Sequence, residues 1–242
     1  MESLSIEAFM NKLNDLLTTQ QPASYDHDII ERLANIGIQA GATFELPKDN
    51  FILNQKLKAI PKVIHKRMRD RKTKSDTSLM KNNWTVITSK LGDYKNDYLM
   101  RSYVSFVGLG ANLPEDAVYP FTTVDADGNP LDGAQAYQIH MDPEDLPPVK
   151  AFWSLTAYNE DDFLIENKYN KFAINSKDSL QFNDDGSLDL YIGAVKPVDR
   201  YFNNWIPVND QEGFTLTMRL YWPKKEILEG SWVPPSVVKI LK

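Results

Sequence analysis

The stretch Phe214–Lys242, FTLTMRLYWPKKEILEGSWVPPSVVKILK, decides the reading of the fold. Phe214, Leu216, Met218 and Leu220 alternate with Thr215, Thr217 and Arg219, the period-two pattern of a half-buried strand. Tyr221-Trp222-Pro223 ends that strand, because proline has no N–H to give to a sheet ladder. A short charged helical turn follows, then Gly230-Ser231-Trp232, Pro234-Pro235 and a closing apolar strand. This order predicts the end of an antiparallel β-domain. Trp222 and Trp232 are expected there as buried aromatic plugs, each worth roughly 3–5 kcal/mol against alanine.

Upstream, the same period recurs. Strands are predicted at 117–124, 136–141, 151–158, 187–194 and 236–241, with a shorter one at 84–88. Short strands separated by turn signals indicate a β-sandwich, jelly roll or barrel. Before residue 92 the period changes to 3.6. Ser5 is placed to cap a helix carrying Ile6, Phe9, Met10, Leu13, Leu16 and Leu17. A second helix is predicted from Tyr25-Asp26, and a third over 50–72 with Pro61 inside it. Residues 72–78 read as a polar loop, and Tyr94, Tyr98, Met100 to Tyr103 and Phe106 suit a further helix stopped by Gly108 and Gly110. The fold class is therefore α+β: a mainly helical region at 1–92 and a β-sandwich or jelly-roll domain at 93–242.

Composition limits the chemistry. Of 242 residues, 42% are apolar and 25% charged, enough to fill a sizeable core. There are no cysteines, which excludes disulfides, thiolate metal sites, iron–sulfur clusters and a cysteine nucleophile. Three histidines, His27, His65 and His140, lie far apart without H-x-H or H-E-x-x-H spacing, so no metal site and no cofactor is expected. The N-terminal sequence shows no signal peptide and no stretch approaches a membrane span, so localisation defaults to a soluble cytoplasmic protein. Net charge is −6, but 13 basic and 4 acidic residues lie between Lys48 and Lys95, leaving 14 basic and 29 acidic elsewhere. A basic helical piece beside an acidic β-domain reads first as internal attraction or oligomer contact. Stacking aromatics are missing around the basic run, which argues against nucleic acid.

Candidate site residues are few. His140, flanked by Asp142, Glu144 and Asp145, is a candidate general base. Asp161, Asp162 and Glu166 are candidate acids or bases, with Arg101 or Lys171 steadying negative charge. Trp153, Tyr158, Trp205 and Lys171 are candidate ligand contacts for a sugar-binding surface. Ser154 lacks a nucleophile elbow and reads as a packed strand residue. The DADGN and NDDG runs at 125–129 and 183–186 read as hairpin turns rather than calcium loops, since neither has the spaced terminal Glu.

Seven runs carry a family resemblance: DYLMRSYVSFVGLGANLPEDAVYP, DADGNPLDG, PPVKAFWSLTAYN, NDDGSLDLYIG, NNWIPV, RLYWPK and GSWVPPSV. In this order they resemble the domain of unknown function 1214. That domain forms the C-terminal half of VPA0735-like proteins, usually paired with the domain of unknown function 1254. The resemblance implies a jelly-roll-like domain with helical additions, of a kind also seen in viral coat proteins. The chain departs from the family pattern at Lys150, Asn167-Lys168, Lys171-Phe172 and 208–212, all expected in loops or near strand ends. Three functions follow as expectations: a non-metal binding or assembly module for a carbohydrate-like or small polar ligand, a hydrolase acting at the jelly-roll mouth, or a structural coat-like protein. A homo-oligomer, or a companion domain in another chain, is the expected partner.

Overall fold

Alternation and periodicity sort the chain into two compact units in the computed structural model, which describes residues 4–72, 78–108 and 110–240. One unit comprises Met1–Ser75 and Asp93–Gly110, the other Asp76–Gly92 and Ala111–Lys242. The expected boundary at residue 92 is thus interleaved. A strand after the basic helix pairs into the sheets, and the helix beyond it packs with the N-terminal helices.

The first unit holds α1 (Ile6–Leu16), α2 (His27–Ala34), α3 (Phe51–Lys72) and α4 (Tyr98–Val107). Ser5 caps α1, its Oγ accepting from the Ala8 N–H at 3.2 Å. The inward face of α1 keeps Ile6, Met10 and Leu13 of the predicted apolar stripe, buried or half-buried, and adds Asn14. Phe9 and Leu16 are exposed, while Ile6 and Asn14 are buried. Asn14 is tolerated there because its amide donates to Gly37 and Ala42 carbonyls at 3.1 and 2.8 Å and accepts from the Gln39 N–H at 2.9 Å. Asn11 holds Phe44 in the same way, through both its N–H and its carbonyl. These two amides fasten the loop after α2 onto α1.

The second unit is a sandwich. Its larger sheet runs in the order β1 (Ser78–Lys81), β2 (Trp84–Ile87), β4 (Phe121–Thr122), β10 (Phe214–Pro223), β6 (Val149–Asn159), β7 (Ala173–Asn175), with β3 (Ala117–Val118) also on β10. The smaller runs β11 (Val238–Ile240), β5 (Ala136–Met141), β8 (Leu188–Gly193), β9 (Trp205–Pro207). Every pairing is antiparallel except β8 with β9. The strand predicted over 117–124 is two short ones, because Pro120 cannot donate to the ladder. Strands β1, β7 and β9 were not foreseen; each is only three or four residues long.

Inward residues of both sheets meet in one core: Leu155, Ala157, Leu216, Met218 and Leu220 from the larger, Ile139, Met141, Leu188, Leu190 and Ile192 from the smaller. Alternation therefore fixes which side chains face outward. On β6 these are Lys150, Phe152, Ser154, Thr156 and Tyr158; on β5 and β8 they include Gln138, His140 and Asp189. Gly133 allows the loop before β5 to lie against 209–212: a Cβ there would sit 1.7 Å from the Asn209 carbonyl oxygen, so only glycine fits.

The two tryptophans near the C-terminus part company. Trp232 is 8% exposed, joins the core and donates its Nε1–H to the Asp145 carbonyl at 3.0 Å. Trp222 corrects the expectation of a buried plug, for it is 58% exposed. The β6–β10 register slips between Tyr221 and Pro223, so Lys150 and Ala151 oppose Trp222 alone. The bulge puts Trp222 at φ 53°, an unusual conformation for a bulky residue, and turns its indole out.

Candidate functional site

His140 sits at the outer face of β5, opposite Asp189 of β8 in the antiparallel register. Its Nδ1 meets Asp189 Oδ1 at 2.6 Å and its Nε2 meets Asp142 Oδ1 at 3.3 Å. Asp189 also accepts from Gln138 Nε2 at 2.6 Å and Asn183 Nδ2 at 3.0 Å. The Asp189 hydrogen bond raises the His140 pKa, more than burial opposes it, with Asp142 adding to the rise. Burial pushes the Asp189 carboxyl up, but the bonds from His140, Asn183 and Gln138 together hold it below its ordinary value. Both ring nitrogens thus face carboxylates. Carboxylates on both sides favour the protonated imidazolium over the neutral ring, whose free lone pair a general base needs. The arrangement is a charge clamp across two strands.

The other acid–base candidates are not gathered. Asp161, Asp162 and Glu166 are exposed in the loop between β6 and β7, a loop folded on the Asn159 Oδ1, which accepts from the Asp161 and Phe163 N–H groups. Arg101 belongs to α4 in the helical unit, where it pairs with the buried Asp26 at 3.2 Å beside the Tyr98 hydroxyl. Among the described residues no three His, Cys, Asp or Glu side chains are assembled as a metal cage requires. The DADGN run is a turn: the buried Asp125 Oδ1 accepts from the Asp127 and Asn129 N–H groups, spending the oxygen that a cation would need. The NDDG run turns similarly, between the antiparallel bridge of Phe182 with Leu188.

Of the ligand-contact candidates, Trp153 lies in the core at 5% exposure. Trp205, 1% exposed, donates its Nε1–H to the Gly193 carbonyl and packs edge-on against Tyr169 and Phe202. Tyr158 is half-buried, and its hydroxyl meets the Arg219 guanidinium, which also donates to Thr156 Oγ1 at 3.1 Å. Lys171 is different. It lines an open recess of about 550 Å³ with Asn170, Phe172, Lys177, Asp178, Ser179, Phe202 and Asn203. Its ammonium donates to the Asn203 carbonyl at 3.3 Å and lies 5.4 Å from the Phe202 ring centre. Burial lowers its pKa, and the Asp178 charge only partly restores it. No carboxylate among the described residues is within ion-pair distance of it.

Residues 116–225 match the model of DUF1214, a protein family of unknown function. Over these residues the chain resembles that family. The chain is similar to the structure of the VPA0106 protein from Vibrio parahaemolyticus, with TM-score 0.66 and 19% identity over 99% of this chain and 56% of that one. It is also aligned with an uncharacterized protein from Burkholderia cenocepacia, at TM-score 0.36 and 14% identity over 94% of this chain and 52% of that one. The chain thus spans about half the length of both. The first likeness shows a shared fold. No curated protein matches the chain.

Within the DUF1214 region the sequence reading missed Asp189, Phe202, Lys177 and Arg219. Asp189 carried one signal, an acidic residue at an outward position of an alternating strand. Its meeting with His140 depends on register, which the sequence does not show. Phe202 and Lys177 come from segments flanking β9 and β7, short strands without their own periodic pattern.

Proposed function

We propose that this protein is a binding module for a small polar ligand bearing an anionic group, of the kind an acidic sugar presents, and that the Lys171 recess receives it. One observation carries the reading. Two lysines approach the Phe202 ring, Lys196 at 5.5 Å and Lys171 at 5.4 Å. Lys196 is neutralised by Asp199 at 2.6 Å, whereas Lys171 has only a carbonyl. A half-buried ammonium with no carboxylate in ion-pair contact, beside a second lysine and a single carboxylate, Asp178, at the wall of an open recess, attracts an anion. Asn170 and Ser179 on the same wall add polar groups suited to ligand hydroxyls. The clamped state of His140 and the separate, exposed settings of Asp161, Asp162 and Glu166 favour binding over hydrolysis. The test is calorimetric titration with galacturonate and with galactose. Galacturonate is expected to bind and galactose to bind at least about tenfold more weakly, a preference lost in Lys171→Met. Equal binding of both sugars, or an unaffected Lys171→Met variant, overturns the reading.

We further propose that the helical unit carries an assembly surface. Phe51, Ile52, Ile60 and Val63 of α3 are exposed apolar side chains on one helix, and a second copy of the chain, or a companion domain, is the partner proposed to cover them. Light scattering on wild type and on Ile52→Glu/Val63→Glu tests this; a monomeric wild type at high concentration removes the self-association reading. No helix among the described residues is long and apolar enough to cross a membrane.

A further inference from the structure

The recess does not end at Lys171. Lys177 lines its other side, and the Lys177 ammonium lies over the outward ring of Phe152, 4.6 Å from its centre. Phe152 is stacked on Tyr221 at 4.4 Å, so both of its faces are taken. Two residues along β6, roughly 7 Å at strand rise, comes Lys150, whose ammonium lies 5.1 Å from the Trp222 ring centre. As with Lys171, neither Lys150 nor Lys177 has a carboxylate within ion-pair distance among the described residues. Lys196 and Lys225 of the same unit are both paired, with Asp199 and Glu229. Lys171, Lys177 and Lys150 therefore fall in one row, each over an aromatic ring, and the row ends at an indole that a bulge holds out into solvent.

We propose that this row, from the Lys171 recess along Lys177 and Lys150 to Trp222, binds an acidic oligosaccharide chain; the inference rests on the recess reading and extends it from one sugar unit to several. Three observations choose the ligand. Three ammonium groups without ion-pair contacts, against the one recess carboxylate Asp178, select an anionic chain over a neutral one. Rings under the lysines hold the charges in place by cation–π attraction, so less freedom is lost when the anion arrives. Single-stranded nucleic acid needs successive open ring faces for its bases, and Phe152 has none left, being covered by Tyr221 and Lys177. Trp222 alone shows a broad exposed indole, which suits one sugar face at the end of the chain. The positive φ fits this role: the bulge holds a bulky side chain outward against its own backbone preference.

The experiment is calorimetric titration of the full chain at fixed low salt with galacturonic acid, an oligogalacturonate and oligo-dT. Lys171→Met and Lys150→Met/Trp222→Ala are compared with wild type. Oligogalacturonate is expected to bind wild type at least about tenfold more tightly than the monomer, because linked units bind as one. The double variant is expected to keep monomer affinity and lose the oligomer's advantage; Lys150→Met alone serves if the double variant shows an altered thermal melt. Oligomer and monomer of equal affinity would sink the extended row and leave the recess standing. Oligomer binding that ignores Lys171→Met but needs Trp222 and Lys150 refutes the recess as its starting point. Absence of binding by both refutes recess and row together, and oligo-dT binding as tight as the oligogalacturonate overturns the choice of saccharide.

Discussion

The outer faces of the two sheets in the sandwich handle charge in opposite ways. On the smaller sheet, the His140 ring lies between two carboxylates, and Asp189 in turn accepts from three side chains. On the larger sheet and its edge, Lys150, Lys171 and Lys177 rest on aromatic rings with no carboxylate in ion-pair contact, and Arg219 meets hydroxyls. A closed network stabilises the fold and has no capacity left for a ligand. Cations held by rings keep most of their field. The presence of a histidine between carboxylates is therefore a poor guide to a site here, and the missing partner of a lysine is the better one.

The contrast is broken most sharply at the tryptophans. Trp232→Ala is expected to lose about 3–5 kcal/mol of stability, seen as a large fall in the urea midpoint, with galacturonate affinity unchanged where the variant is folded. Trp222→Ala should leave the midpoint nearly in place, since its indole is already in solvent. A Trp222 variant as unstable as the Trp232 one would return Trp222 to the core.

Removing the clamp comes next. Asp189→Ala leaves Gln138, Asn183 and His140 without their shared acceptor, at a cost of about 1–3 kcal/mol, while titration with galacturonate stays as in wild type. The clamp also fixes a pH window. His140 has its pKa raised from 6.5, so its contribution is complete below 6.5 and is lost as pH climbs through the higher folded value. Asp189 has its pKa lowered from 3.8, so its contribution holds above 3.8 and is lost as pH drops through the lower folded value. The pair therefore supports the fold most between these two ordinary values. In an NMR titration, His140 of wild type should titrate above 6.5 and return toward it in Asp189→Ala. An unchanged His140 titration in that variant would show that the clamp does not set it.

Lys171 has the opposite sign. Its pKa lies below the ordinary 10.5, so the folded state gives up its proton first and stability rises with pH across that window. Lys171→Met should flatten the rise, measured by urea midpoints at alkaline pH, and leave neutral-pH stability within about 0.5 kcal/mol. Galacturonate affinity of wild type should fall over the same range as the ammonium is lost. The smallest effect is expected at Trp222→Gly. Relief of the left-handed backbone, roughly 1 kcal/mol, opposes the loss of the remaining indole contacts, and the melting temperature should stay or rise slightly. A marked fall would mean that the bulge depends on its tryptophan.

Local chemistry was legible early: period-two runs in 117–240, the Ser5 cap, the Asp-Gly turns and the absence of cysteine all follow from residue type and spacing. They specify a helical region and an antiparallel sandwich because backbone preference and side-chain alternation act over a few residues. Lys171 was also readable as a candidate, being a basic residue in a loop. Register and bulges decided the rest. The pairing of β5 with β8 delivered Asp189 to His140 and closed a site that the sequence left open. A slip of one residue between β6 and β10 sent Trp222 outward, although it stands in the same Trp-Pro setting that suggested burial. The row of lysines on rings comes from β6, β10 and the segments flanking β7 and β9, which are distant along the chain. Only the packed sheets bring them side by side, since no short-range pattern encodes which strand will lie next to which.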